Sequence, residues 1–238
     1  MLYNVKYGDT SLVVTALTRS SGLQSFIVQG VRTSSKGSVK AALYQPGGIL
    51  EATIYQQPNK NLQRIREAAW GEVYKSIFFD VVKHSIATFM MELLYKLLKH
   101  PEPHADLYDF TEEMLIQLDK LPVAEVANFP IFYCLHLAAF FGFQLQPPGN
   151  DVKKEDFYAD LELGTFTAQQ PHHPHFLEPQ DAKAVADILH LNHVEHLHEI
   201  KLNRQRRRAI LIKLMEFYAL HLQDFGQMKT LTVMYEVL

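Results

Sequence analysis

The stretch TSLVVTALTRSSGLQSFIVQGV (10–31) decides the fold of the first part of the chain. Its halves, TSLVVTALT (10–18) and LQSFIVQGV (23–31), are rich in β-branched and aromatic residues and bounded by Gly and Ser, the composition of short strands. Gly22 fits a turn between them. Working outward, GILEATIYQQ (48–57) has the same character, and TSSKGS (33–38) is a polar, glycine-containing loop carrying Lys36. Short strands joined by basic loops predict a small barrel, and periodicity does not separate an OB-like barrel from an SH3-like one.

From about residue 67 the pattern becomes helical. Phe78, Val81, Val82, Ser85, Phe89 and Leu93 approximate i, i+3, i+4 spacing and run on to a stop at His100-Pro101. Further helices are predicted over 106–119, over a very apolar 126–141 ending near Gly142, over 180–190 opened by Pro179, and over 193–223 with Leu202, Ile212, Met215 and Tyr218 as core contacts. The segment 144–180, with five prolines and two glycines, reads as a long irregular insert. Gly226 permits a turn before a short amphipathic end. The expectation is an α+β chain: an OB-like β-barrel over 1–66, then an all-helical domain over 67–238 that carries the insert.

The net charge of −3 conceals a division. Residues 1–66 hold eight Lys/Arg against Asp9 and Glu51, a balance of +6, whereas the remainder carries −9. Such asymmetry points to an anionic partner for the first segment, nucleic acid foremost. The candidate DNA-binding residues are Lys6, Arg19, Arg32, Lys36, Lys40, Arg64 and Arg66. A plain solvated surface is the competing reading. Aromatic residues accompany these cations (Tyr3, Tyr7, Phe26, Tyr44 and Tyr55), and single-strand binders pair a cationic groove with aromatic platforms. Strand alternation sends half of them inward, leaving one or two as platforms.

A second basic signal is KLNRQRRRAILIK (201–213). Lys201, Arg204, Arg206, Arg207, Arg208 and Lys213 occur with no acid between 201 and 215. On a continuous helix Lys201, Arg204 and Arg208 would form one stripe, and guanidinium forks suit phosphate and carboxylate. We take Lys201, Arg204, Arg206, Arg207 and Arg208 as an anionic-partner patch, against the alternative of a solvated helix face paired with local acids.

Other chemistry is faint. No phosphate-binding glycine loop, nucleophile elbow or HExxH stands in the chain. Cys134, the only cysteine, lies in an apolar stretch and reads as a buried hydrophobe. The histidines at 172, 173 and 175 and at 190, 193, 196 and 198 offer a metal-dependent hydrolase as an alternative function, but thiolates are absent there, so surface or capping roles are preferred. A protein-interaction module without DNA contact is the other alternative. No uninterrupted apolar run approaches the length needed to cross a bilayer, and MLYNVKYGDT lacks a signal-peptide pattern. A cytoplasmic protein is expected.

Several stretches together resemble the RecO family of bacterial recombination mediators: KYGDTSLVVTALTRSSGLQSFIVQGVR (6–32), ALYQPGGILEATIY (42–55) and RRRAILIKLMEFYALHLQDFGQMKTLTVMYEVL (206–238). The order and spacing hold over nearly the whole chain. The resemblance implies an OB-fold and a helical domain, binding of single- and double-stranded DNA, annealing of complementary strands, contact with the acidic tail of single-strand DNA-binding protein, assembly with RecR, and RecA loading on coated strands. It implies a non-enzymatic, nucleoid-associated DNA repair protein without a cofactor. Two departures stand out. The four-cysteine zinc module common in the family has no counterpart in 144–180, and FYADLELGTFTAQQPHHPHFL (157–177) resembles the zinc-less variants of Bacteroidetes-type members. The family also begins with a further strand ahead of KYGDTS, so the first barrel strand is expected to be shortened or lacking.

Overall fold

The computed structural model describes residues 1–31, 41–55, 57, 60–147 and 157–237. The chain forms two compact units, Met1–Lys120 and Leu121–Leu238.

The first unit opens with a five-stranded sheet: β1 (Tyr3–Tyr7), β2 (Ser11–Thr18), β3 (Gly22–Val28), β4 (Leu50–Tyr55) and β5 (Leu62–Trp70). The strand order is β1-β2-β3-β5-β4. All pairs are antiparallel except β3 with β5. This is the connectivity of an OB-like, partly open barrel. Among the described residues no ladder joins β1 to β4. Two main-chain hydrogen bonds meet there instead, Met1 N to Gly48 O at 2.7 Å and Gly47 N to Met1 O at 2.9 Å. A cavity of about 310 Å³ opens beside this seam, lined by Phe26, Leu50, Ile65, Met91 and Leu115 among others.

Alternation explains the sheet. Leu12, Val14 and Ala16 of β2 and Phe26 and Val28 of β3 point to one face and are buried with Val31 and Tyr44. Leu50, Ile65 and Ala68 close the same cluster from β4 and β5. Gln63 is buried among them, and its amide is satisfied by the hairpin it spans: it accepts from Gln57 N and donates to Gln57 O and Lys60 O. The helical texture read from residue 67 therefore starts too early. LQRIREAAW (62–70) contains a single β-branched residue, and its pairing with β3 over a long sequence separation outweighs its weak strand propensity.

Helix α1 (Val81–Leu97) is capped by Asp80, whose carboxylate accepts from Val82 N at 2.9 Å and Lys83 N at 3.0 Å. It buries Ile86, Phe89, Met90, Leu93, Leu94 and Leu97. Helix α2 (Ala105–Lys120) follows within the same unit. Its Asp119 carboxylate gathers the main-chain N–H groups of Lys75, Ser76 and Ile77 at 2.8–2.9 Å and so holds the chain between β5 and α1.

The second unit is built around α3 (Phe129–Leu137), every residue of which except His136 is buried. Two 3-10 segments flank it, Val123–Asn128 and Ala138–Phe141, and Gly142 ends the run with φ of 81°. By length and composition Val123–Phe141 could cross a bilayer, but most of it lies inside the unit as its core.

The region 144–180 is more regular than its prolines suggest. Among its described residues, β6 (Tyr158–Asp160), β7 (Thr165–Thr167) and β8 (Phe176–Leu177) form a small sheet, and Leu161, Phe157 and Phe166 are buried. Proline marks the turns here and leaves the short ladders free. Helix α4 (Pro179–Leu189) begins on its proline as expected.

The helix predicted over 193–223 is broken. A 3-10 segment, Val194–Glu199, and an extended stretch precede α5 (Arg204–His221). Asn203 starts α5 by accepting from Arg206 N at 2.9 Å, a cap that competes with continuous helix. Leu202, Met215 and Tyr218 are buried as expected, whereas Ile212 is exposed. The break rotates the face predicted for one long helix. The last element is α6 (Thr230–Val237).

Candidate nucleic-acid interface

The ladder registers place a transverse row of side chains on the sheet face opposite the core. Val5 of β1 stands against Val13 of β2, Val13 against Ile27 of β3, Ile27 against Arg64 of β5, and Arg64 against Tyr55 of β4. Directly paired residues project to the same face, so the row crosses all five strands. Its span is about 19 Å at the usual strand spacing. A second row, Tyr3, Thr15, Ser25 and Leu62, runs beside it.

The chemistry of this face is mixed in a useful way. Val13 and Ile27 form a half-buried apolar floor. Tyr55 and Tyr7 are 49% and 56% exposed. Arg64 is exposed and, among the described residues, has no carboxylate within ion-pairing distance. The phenol ring of Tyr3 stacks on Tyr95 of α1 with centroids 5.6 Å apart. The aromatic candidates thus divide cleanly: Phe26 and Tyr44 are core, and Tyr3, Tyr7 and Tyr55 lie outside. Tyr95 was invisible in the sequence because it sits within the apolar pattern of α1.

The remaining basic candidates of the first segment are scattered. Lys6 is exposed on β1. Arg19, in the turn after β2, is exposed and ion-paired with Asp109 at 2.8 Å. Arg66 lies at the register shift between β4 and β5, where it is left out of the ladder, with Glu67 3.5 Å away. Arg32, Lys36 and Lys40 lie outside the described residues.

The C-terminal patch differs from the predicted stripe. Lys201 precedes the Asn203 cap, so it does not share a helix face with Arg204 and Arg208, and its ammonium donates to His198 O at 2.8 Å. Arg206 turns to Asp181 at 2.8 Å and to Gln180 O. Arg207 donates to Leu202 O, and its pKa is lowered by burial and then by Arg204 beside it. Arg204 and Arg208 are exposed and share a face, but both also touch α6: Arg204 donates to Tyr235 O, and the Arg208 guanidinium sits 4.5 Å above the centre of the Tyr235 ring.

Histidines of the histidine-rich segment make hydrogen bonds to nearby carboxylates. His173 meets Asp160 at 3.2 Å, and His175 meets Glu216, which also accepts from Lys213 at 2.9 Å. Burial acts to raise the Glu216 pKa, yet hydrogen bonds from His175 and Lys213 hold it below its ordinary value. Cys134 is buried, and burial pushes its thiol well above the ordinary range.

Known proteins give this geometry a context. Residues 1–74 match the family model described as recombination protein O N terminal, and residues 79–230 match the model described as recombination protein O C terminal. A protein named DNA repair protein RecO from Bacteroides fragilis is 33% identical over 238 residues, covering 100% of this chain and 96% of its own length. A protein of the same name from Phocaeicola vulgatus is 31% identical over 237 residues with the same coverage. One from Flavobacterium johnsoniae is 27% identical over 244 residues, covering 100% of this chain and 96% of its own length.

Proposed function

Because the chain belongs to the recombination protein O family of DNA repair and recombination proteins, we propose that it binds single- and double-stranded DNA, anneals complementary strands and helps RecA load on coated single strands. The observation that carries this reading is the outer row of the sheet, where Arg64 lies between an apolar floor and exposed Tyr55. Unpaired bases have apolar faces that stack on tyrosine, while guanidinium and ammonium groups neutralise phosphate. Annealing needs no covalent step. It needs phosphate repulsion lowered while the base edges stay available, so the protein acts as a mediator and not as an enzyme.

In this reading residues 1–66, with β5 continuing to Trp70, form the DNA-binding domain, with Lys6, Arg19, Arg64 and Arg66 joined by Arg32, Lys36 and Lys40. The rest of the chain, to residue 238, forms the helical domain. The patch of Lys201, Arg204, Arg206, Arg207 and Arg208 meets a second anion, either a further stretch of DNA or the acidic tail of single-strand DNA-binding protein. RecR is the assembly partner, and the site of action is the nucleoid in the cytoplasm. Binding of a labelled single strand across a salt series, followed by an annealing assay, tests the whole. Binding that collapses with salt and is indifferent to sequence supports it. A protein that neither binds nor anneals DNA at low salt refutes it.

A further inference from the structure

Arg204 and Arg208 stand one turn apart on the exposed face of α5, and both are engaged by one residue of the terminal helix. The Tyr235 carbonyl, at the end of α6, accepts from Arg204, and the Tyr235 ring lies under Arg208. A carbonyl at a helix C-terminus carries partial negative charge, so this is a favourable place for a guanidinium. The terminal helix thus fills two positions that an external anion would otherwise take.

Helix α6 has eight residues, too few to persist on its own in water. Met234 is its single fully buried residue, and Val233 and Glu236 face solvent. The Tyr235 hydroxyl is buried with no hydrogen-bond partner among the described residues, and burial raises its pKa while Arg208 opposes the rise. Such an orphaned hydroxyl regains a hydrogen bond from water when the helix lifts. The connection to α5 turns through Asp224 and Gly226, both at positive φ, and is pinned upstream by Phe225 stacked on Tyr218. Phe225 and the buried Met228 both anchor the chain before the helix, so lifting α6 leaves these two contacts in place.

We propose that α6 is a displaceable latch on the arginine face of α5: docked, it occupies Arg204 and Arg208, and a DNA strand that takes these two guanidinium groups releases it. The inference rests on the reading of this patch as an anion-binding surface and selects DNA as the anion, because a strand presents successive phosphates to two arginine forks on one helix face. It makes tight binding conditional. Only the undocked fraction is fully competent, so the apparent affinity is reduced by that fraction.

Hydrogen exchange of the unmodified full chain, with and without a saturating dT oligonucleotide, reads the latch directly. Amides of residues 230–237 exchange faster with DNA bound while those of α3 stay protected. Unchanged or slower exchange overturns the latch. In a Tyr235→Ala variant the same amides exchange faster without DNA, and single-strand affinity rises, about tenfold if one molecule in ten is undocked. Adding Arg204→Ala and Arg208→Ala abolishes that rise. Faster exchange with no gain in affinity defeats the latch, and so does a Tyr235→Ala helix that stays protected. The Arg204→Ala/Arg208→Ala variant separates the two ideas. If it binds DNA as the unmodified chain does, the patch itself is not a DNA surface. If it binds more weakly while DNA leaves the exchange of α6 untouched, the patch stands and only the latch fails. Release of α6 by an acidic peptide but not by DNA overturns the choice of ligand.

Discussion

Replacing Tyr55 and Arg64 separately tests the outer row of the sheet, because the two side chains are paired across β4 and β5 but should act on different parts of a nucleotide. Tyr55→Ala removes an exposed ring that sits beyond the apolar floor of Val13 and Ile27. Base stacking on an aromatic side chain contributes about 1–3 kcal/mol, so single-strand affinity should fall by roughly 5- to 150-fold. Bases in a duplex are already stacked and inaccessible to Tyr55, so duplex affinity should change little. The dependence of binding on salt should also stay as it was, because no cation has been removed. Arg64→Ala has the opposite signature: the logarithmic salt slope falls by about 0.7 for one lost single-strand phosphate contact. Neither change threatens the fold, since both residues are exposed and a cross-strand pair of this kind contributes about 0.2–1 kcal/mol. Fluorescence anisotropy of a labelled dT oligonucleotide and of a duplex, each measured over a salt series, reads both quantities. An equal loss on single strand and duplex for Tyr55→Ala, or a salt slope unaltered in Arg64→Ala, refutes the assignment of this face.

The combined Arg32→Ala, Lys36→Ala and Lys40→Ala variant should bind more weakly on every DNA sequence, with the salt slope reduced by about 0.7–0.9 per contact; an unchanged slope removes these three from the interface. Asp119→Ala leaves three main-chain N–H groups without their acceptor and should cost about 1–3 kcal/mol in urea unfolding at neutral pH. Burial works to raise the Asp119 pKa, but hydrogen bonds from Lys75, Ile77 and Ser76 hold it below the ordinary value, so its contribution is present at neutral pH and lost as pH falls through the folded pKa; a deficit that persists undiminished in strong acid speaks against the carboxylate. The insert should keep its fold through Phe157, Leu161 and Phe166 without metal, so chelation should leave the unfolding midpoint in place, and a chelator that unfolds the protein contradicts this.

The sequence by itself determined what depends on local periodicity and composition. Strands β2 and β3 were legible because TSLVVTALT and LQSFIVQGV are rich in β-branched and aromatic residues and bounded by Gly and Ser. Helices α1, α2 and α4 declared themselves through apolar spacing and through Pro179. The charge division was equally plain, since it needs no coordinates. What only the tertiary structure decided are the features set by partners distant in the chain. Strand β5 has little strand character of its own and exists because β3 and β4 supply its hydrogen bonds. The face on which Arg64 meets Tyr55 follows from that register, in which a shift of one residue would turn the arginine toward the core. The Asn203 cap, which replaced the predicted continuous helix, removed Lys201 from the stripe, because side-chain capping and helix interior compete closely at such a residue. The destination of Arg204 and Arg208 was not written locally at all. Both reach Tyr235, some thirty residues on, and a side chain's partner across such a separation is chosen by packing, which no local pattern encodes.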